Sequence, residues 1–206
     1  MADRAGLLVD WGGVLTSDIF ASFAAFCVAE GLAPDTAREL FRHSAEGRRL
    51  LHELETGELP EARFEVAFCA LLGLPPDRAA GLVDRLFGGM RPDEAMLGAV
   101  RAARAAGLRT GLVSNSWGHD RYDQRILALF DAVVISGHEG IRKPDPRMYA
   151  LGAERLGLPP EACVYVDDLA GNLKPARALG MATIHHVDAA ATIAQLEELL
   201  GVPLQG

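Results

Sequence analysis

The stretch Gly6-Leu7-Leu8-Val9-Asp10-Trp11-Gly12-Gly13-Val14-Leu15-Thr16 decides how the rest of the chain is read. A short apolar run bounded by glycine reads as a buried strand over 6–10, which delivers a carboxylate to a glycine-rich turn. A second run, Cys163-Val164-Tyr165-Val166, closes on the pair Asp167-Asp168. Between the two, Thr110-Gly111-Leu112-Val113 leads into Ser114-Asn115, and Lys143 stands in Gly140-Ile141-Arg142-Lys143-Pro144. Acid, hydroxyl, ammonium and paired acids, mostly at strand ends, are groups suited to hold a divalent metal and a phosphoryl group.

Residues 18–89 contain no convincing strand. Ile19, Phe20, Phe23, Phe26 and Cys27 recur at helical spacing. Pro34-Asp35 opens a helix running toward Leu54, and Thr56-Gly57 ends it. A third helix spans 60–72, and Pro75-Pro76-Asp77 starts a fourth that ends near Gly88-Gly89. From Arg91 the pattern alternates: helix 93–106, strand 109–113, helix 120–129, strand 132–135, helix 146–156, strand 163–166, helix 171–179, strand 182–186, helix 190–200. Such alternation implies right-handed βαβ units and a parallel sheet covered on both faces. The expectation is an α/β protein with a helical module over 18–89, joined near Thr16-Ser17 and Gly88-Gly89. Ligands bind beyond the carboxyl ends of the strands in such a sheet. Asp10, Ser114 and Asp168 fall at such ends, and Lys143 lies in the loop after strand 132–135.

A net charge of −8 speaks against nucleic acid as the main partner. Half of the 206 residues are hydrophobic and 23% are charged, which is ordinary for a globular chain with a full core. Cys27, Cys69 and Cys163 are scattered, without a CxxC pair, and fit reduced core thiols. No apolar run approaches the ~20 residues needed to span a bilayer. Asp3 beside Arg4 does not resemble a secretory leader. A cytoplasmic monomer or homodimer without membrane association is expected. The basic residues are 18 Arg and 2 Lys, the lysines being Lys143 and Lys174.

The four stations Asp10, Ser114, Lys143 and Asp167-Asp168, in this order, resemble the haloacid dehalogenase-like superfamily of hydrolases. Lys143-Pro144-Asp145-Pro146 and the segment from Asp167 through Asn172-Leu173-Lys174-Pro175 to Arg177 are similar to the phosphatase domain of soluble epoxide hydrolases and its bacterial relatives. The resemblance implies a Rossmann-like core, residues 1–17 and 90–206, with an inserted α-helical cap, residues 18–89. It implies a small phosphorylated substrate, attacked by Asp10 to form an aspartyl-phosphate. It also implies Mg²⁺ held by Asp10, the backbone carbonyl of Gly12 and Asp168, with Asp167 behind these ligands and Asn172 orienting the acidic loop. Ser114 and the backbone of Asn115 would hydrogen-bond the transferring group, and Lys143 would neutralise its oxygens.

The departure is Gly12. Phosphatases of the family carry a second aspartate there, which protonates the leaving group and then activates water. General acid–base catalysis of this kind is typically worth about 10²–10⁴-fold, and no residue of the sequence is an obvious substitute. Three further readings follow. Dehalogenases of the family also lack the second aspartate, but do not need an acidic metal site. Phosphonoacetaldehyde hydrolases use a cap lysine, and residues 18–89 contain none. A catalytically impaired phosphate-binding relative would also tolerate Gly12. His43, His52, His119 and His138 lack zinc spacing with a cysteine and read as surface or partly buried residues. Arg42 and Arg48-Arg49 read as a solvated helix face, and Trp11 as a packing residue beneath the cap.

Overall fold

The computed structural model describes residues 4–117 and 122–204. Asp3, His119 and the start of the helix expected from 120 lie outside the described residues. Five strands, β1 (Gly6–Val9), β2 (Arg109–Ser114), β3 (Ala132–Ile135), β4 (Cys163–Asp167) and β5 (Ala182–His185), form one parallel sheet in the order β3-β2-β1-β4-β5. Helices α1 (Ile19–Ala29), α2 (Thr36–His43), α3 (Ala45–Glu55), α4 (Glu61–Leu71), α5 (Leu82–Phe87) and α6 (Glu94–Ala105) lie between β1 and β2. Then come α7 (Gln124–Leu127), α8 (Ser136–Glu139), α9 (Pro146–Leu156), α10 (Ala170–Ala178) and α11 (Ala189–Leu200).

Successive strand residues point to opposite faces. Leu7, Val9, Leu112, Val164 and Val166 pack on Met96, Leu97 and Val100 of α6 and on Ile193 and Leu196 of α11. Leu8, Val113, Val134 and Tyr165 face Met148, Tyr149 and Ala153 of α9 and Leu173 and Ala176 of α10. Both faces are covered, which is why the strands read as continuous apolar runs rather than as alternating ones. Each fully buried aliphatic side chain here contributes about 1.5–3 kcal/mol. In the register, Val9 lies beside Val166 on one side and Leu112 on the other. Asp10 and Asp167, one residue further on, therefore emerge together at the carboxyl edge.

Helices α1–α5 surround a separate apolar cluster built on Phe23, Phe26, Leu50, Leu54, Phe64, Phe68, Leu82 and Leu86. The single helix expected from Pro34 to Leu54 is two. Ser44 is extended (φ −80, ψ 130), and its side chain accepts the Gly47 N–H, capping α3. The two helices then meet closely at Gly47, where a Cβ would lie 2.3 Å from the Leu40 carbonyl oxygen. The fourth expected helix is also interrupted. A 3₁₀ turn at 76–78 is followed by Gly81 in the left-handed region (φ +67), and α5 starts only at Leu82. The chain leaves and re-enters the sheet layer side by side: Ser17 N–H donates to Arg91 O (2.8 Å) and Asp93 N–H to Leu15 O (2.9 Å). Among the described residues, no helix is long and apolar enough to cross a membrane.

Gly47→Ala forces α2 and α3 apart against backbone. It should destabilise the protein by about 1–3 kcal/mol, lowering the melting temperature by about 2–4 °C per kcal/mol for a chain of this size. Thermal denaturation of variant against wild type measures this.

Candidate active site

Asp10 follows β1 in the extended direction, its N–H donating to Val166 O at 2.9 Å. Its Oδ1 accepts the Trp11 N–H (2.7 Å) and the Lys143 ammonium (2.7 Å). Lys143 is 1% exposed and also donates to Asp167 Oδ2 (2.8 Å) and the Tyr165 hydroxyl (3.1 Å). Asp167, wholly buried, is saturated with protein donors. The Tyr165 hydroxyl and Lys143 reach Oδ2, Leu169 N–H reaches Oδ1 (2.8 Å), and Asn172 Nδ2 spans both oxygens (3.0 and 3.1 Å). Asp168 is only partly buried and faces the cavity described below. His185, at the end of β5, holds its carbonyl oxygen through Nε2 (2.9 Å).

Carboxylate oxygens of Asp10, Asp167 and Asp168 lie within 4.8 Å of one another. Three acids thus share one ammonium. Burial, reinforced by the charges of Asp167 and Asp168 and opposed by Lys143, pushes Asp10 up to about 8. Burial, then Asp167, pushes Asp168 up to about 6. With all three ionised, two negative charges are left uncompensated, and a divalent cation fits that deficit and the all-oxygen donor set. The donor-saturated Asp167 neutralises Lys143, leaving Asp10 and Asp168 as the carboxylates open to a cation.

The turn after Asp10 separates two glycines by function. Gly13 has φ +74, and a Cβ there would sit 2.5 Å from Asp168 Oδ2, so glycine is required for the acid to come this close. Gly12 has no such backbone demand. A Cβ at Gly12 would meet the Ile19 Cγ2 methyl at 3.1 Å, so an aspartate there would press on the first residue of α1.

Ser114, at the end of β2, pairs its Oγ with the Tyr122 hydroxyl (2.9 Å), and Tyr122 stands edge-on to Trp11 at 5.3 Å. The Asn115 side chain is engaged with the lysine loop: Oδ1 accepts Lys143 N–H (2.8 Å) and Nδ2 donates to Lys143 O (3.1 Å). The same Nδ2 donates to Glu55 Oε2 (3.3 Å). Glu55, the last residue of α3, is buried and reaches from the helical layer into the site. Trp117 Nε1 donates to its Oε1 (3.1 Å), the Arg142 guanidinium pairs with its Oε2 (2.8 Å), and the Ser136 hydroxyl donates to its carbonyl (2.5 Å). Trp117 itself projects from the sheet layer into the helical cluster, 5.1–5.6 Å from the rings of Phe23, Phe41, Phe64 and Phe87.

A cavity of about 700 Å³ opens over Asp10. Asp10, Gly12, Ser114, Asn115, Lys143, Asp168 and Asn172 line its polar end. Ile19, Phe20, Phe41, Leu51, Phe87, Met90 and Trp117 form apolar walls, with Glu55, Arg38 and Arg42 among them. Arg42 is exposed, as expected of a solvated helix face, and it also borders the cavity. Arg49 does lie outward, paired with Glu46 and Glu53. Trp11 is a wall of the cavity as well as a packing residue. His43 and His138 are exposed. His52, also exposed, borders a second cavity of about 430 Å³, which shares Lys143 but neither Asp10 nor Asp168.

All the stations read from the sequence converge here. Sequence reasoning missed Glu55, Tyr122, Tyr165 and Trp117. Tyr165 was within reach, because the two-residue strand period puts it on the same face as Asp167. Glu55 carried no signal, since its helix is remote in sequence from every strand end.

The family model for haloacid dehalogenase-like hydrolases matches residues 5–180, and the chain belongs to that family. It is 42% identical over 113 residues to acyl-CoA dehydrogenase family member 10 of Mus musculus, covering 53% of this chain and 10% of that protein. It is 36% identical over 114 residues to bifunctional epoxide hydrolase 2 of Rattus norvegicus, covering 52% of this chain and 21% of that one. The chain thus spans a small part of these two relatives. Sesquiterpene phosphatase astK of Aspergillus oryzae is 30% identical over 134 residues, which cover 63% of this chain and 68% of that protein. A HAD family enzyme of Bacteroides thetaiotaomicron, crystallised with magnesium and inorganic phosphate, shares the fold with a TM-score of 0.67 at 19% identity, over 88% of this chain and 93% of that one. The chain accordingly belongs with the haloacid dehalogenase-like hydrolases, and phosphatases are among its relatives.

The raised proton affinities of Asp10 and Asp168 make the folded state hold protons that the unfolded chain releases near 3.8. Their contribution to stability is complete below that pH and is lost as pH rises through about 6 and about 8. In the presence of a chelator, Asp10→Asn should therefore melt above wild type at alkaline pH, with the gap closing toward acid pH. Calorimetry across this range checks the sign.

Proposed function

We propose that this protein is a Mg²⁺-dependent phosphohydrolase in which Asp10 attacks phosphorus, the P–O bond to the leaving group breaks, and water then hydrolyses the aspartyl-phosphate. The observation that carries this reading is the trio of clustered carboxylates facing a single buried ammonium. A carbon–halogen hydrolase does not need an acidic metal site beside its nucleophile. Asp10, Asp168 and the carbonyl of Gly12 are assigned as the residues that hold the cation. When bound, Mg²⁺ would supply the positive charge that offsets the carboxylates and a phosphoryl group. Lys143 holds Asp10 in place and offers charge to the transferring group. Ser114 and the Asn115 backbone are assigned to its oxygens, while Asn172 and Tyr165 keep Asp167 turned toward Lys143.

Residues 18–89 are read as a cap over a core of residues 1–17 and 90–206. The reciprocal insertion of Trp117 and Glu55 supports a cap that closes over the substrate. The leaving group is assigned as apolar, because the cavity beyond the polar end is walled mainly by aromatic and aliphatic side chains. A relative named as a sesquiterpene phosphatase agrees with that class.

With Mg²⁺, phosphate should be released faster from a bulky apolar monoester, such as a naphthyl or prenyl phosphate, than from a sugar phosphate, and Asp10→Asn should fall to background. Chloride release from 2-haloacids without Mg²⁺, and no phosphate release from either class, would overturn the reading. Asp168→Ala should raise the Mg²⁺ concentration for half-maximal activity by at least about 100-fold, and Asn172→Ala, which only frees Asp167, by about tenfold. Equal Mg²⁺ dependence in wild type and Asp168→Ala would remove the metal site.

A further inference from the structure

We infer that Glu55, delivered by α3, takes over the proton transfers that the residue at position 12 cannot perform. The inference rests on the phosphohydrolase reading. Glycine at 12 leaves the cleavage of an alkyl ester without an acid, and a Cβ at that position would press on the Ile19 Cγ2 methyl at 3.1 Å. Glu55 and Asp10 line the same cavity. They are linked through Asn115, which bonds the carboxylate of Glu55 and both main-chain polar atoms of Lys143, whose ammonium touches Asp10.

The contacts of Glu55 orient it for this role. Oε2, the carbonyl-like oxygen of the neutral carboxyl, accepts from Asn115 and stands 2.8 Å from the Arg142 guanidinium, whose Nε–H donates to the Lys143 carbonyl. Among the described residues Oε1 accepts one N–H, from Trp117, which leaves a position for its own hydrogen. The charged groups facing it are Arg142 and Lys143, both of which favour the ionised form; Tyr122 is the neighbouring hydroxyl, itself held neutral by burial. Burial outweighs the two cations, so the carboxyl binds its proton more tightly than an exposed glutamate. In the first half-reaction the Glu55 proton passes to the leaving-group oxygen as its bond to phosphorus breaks and the Asp10–phosphorus bond forms. In the second, the carboxylate takes a proton from the water that attacks phosphorus, which frees Asp10 and phosphate and restores the neutral acid.

The test compares kcat/KM for aryl and alkyl phosphates of matched bulk, in Mg²⁺, for wild type and Glu55→Gln. An amide keeps an oxygen for Trp117 or Arg142 but has no acidic proton. Alkyl esters, which need the proton, should lose about 10²-fold or more. p-Nitrophenyl phosphate, whose leaving group departs unprotonated, should lose little in its first step, followed as the pre-steady-state burst of nitrophenol. Equal losses on both classes would mean that Glu55 only braces the fold and would overturn the inference, as would no loss on either. Arg142→Gln provides a second arm that leaves the carboxyl in place. Without the guanidinium, the alkaline limb of the alkyl-ester pH profile should move upward, and an unmoved limb would overturn the inference. Absence of phosphate release from any substrate in wild type defeats the phosphohydrolase reading itself and is distinct from all these outcomes.

Discussion

The buried ammonium of Lys143 is the contact on which the rest of the site depends. An isolated ammonium cannot be carried into an interior of this kind without compensation. Here it is held by Asp10 at 2.7 Å and Asp167 at 2.8 Å. That one contact ties the end of β1, the end of β4 and the loop after β3 into a single point. Asp167 meets it with all its other capacity taken by Tyr165, Asn172 and Leu169, so its position is over-determined. Asp10 meets it with Oδ2 free of protein donors among the described residues, which is the condition a nucleophile or ligand requires.

Charge balance explains the remaining geometry. Asp168 is brought against Gly13 and adds a third acid to a place with one cation. Such a cluster is unfavourable on its own account, as the raised proton affinities of Asp10 and Asp168 record. Stability given up at a site is commonly the counterpart of function there. The same turn shows why two adjacent glycines are not equivalent: Gly13 is imposed by its backbone and by Asp168, whereas Gly12 is a chemical choice.

The two layers are joined by an exchange of side chains. Trp117 leaves the sheet layer for the aromatic cluster of the helices, and Glu55 leaves the helices for the polar groups above the sheet. The cavity between them has a polar end at the strand termini and apolar walls from α1, α2 and α3. Under the proposed function, a substrate bound there would be read by both layers at once, its charged end by the sheet and its remainder by the helices.

Much of this was legible in the sequence, because local rules governed it. Apolar runs ending in acid, alternation with helices and the order of Asp10, Ser114, Lys143 and Asp167-Asp168 determined a parallel sheet and its functional edge, since a strand in such a sheet exposes chemistry only at its ends. The break at Ser44 was hidden, because a helical apolar pattern continues through it and the close crossing at Gly47 is a tertiary fact. Burial and charge balance were likewise invisible. Neither the saturation of Asp167 nor the raised proton affinity of Asp10 follows from residue type, because both depend on which groups surround them. The placing of Glu55 was decided by tertiary structure alone. A helix presents its residues every 3.6 positions around its axis, and which of them meets a strand end 60 residues away is set only when the layers pack.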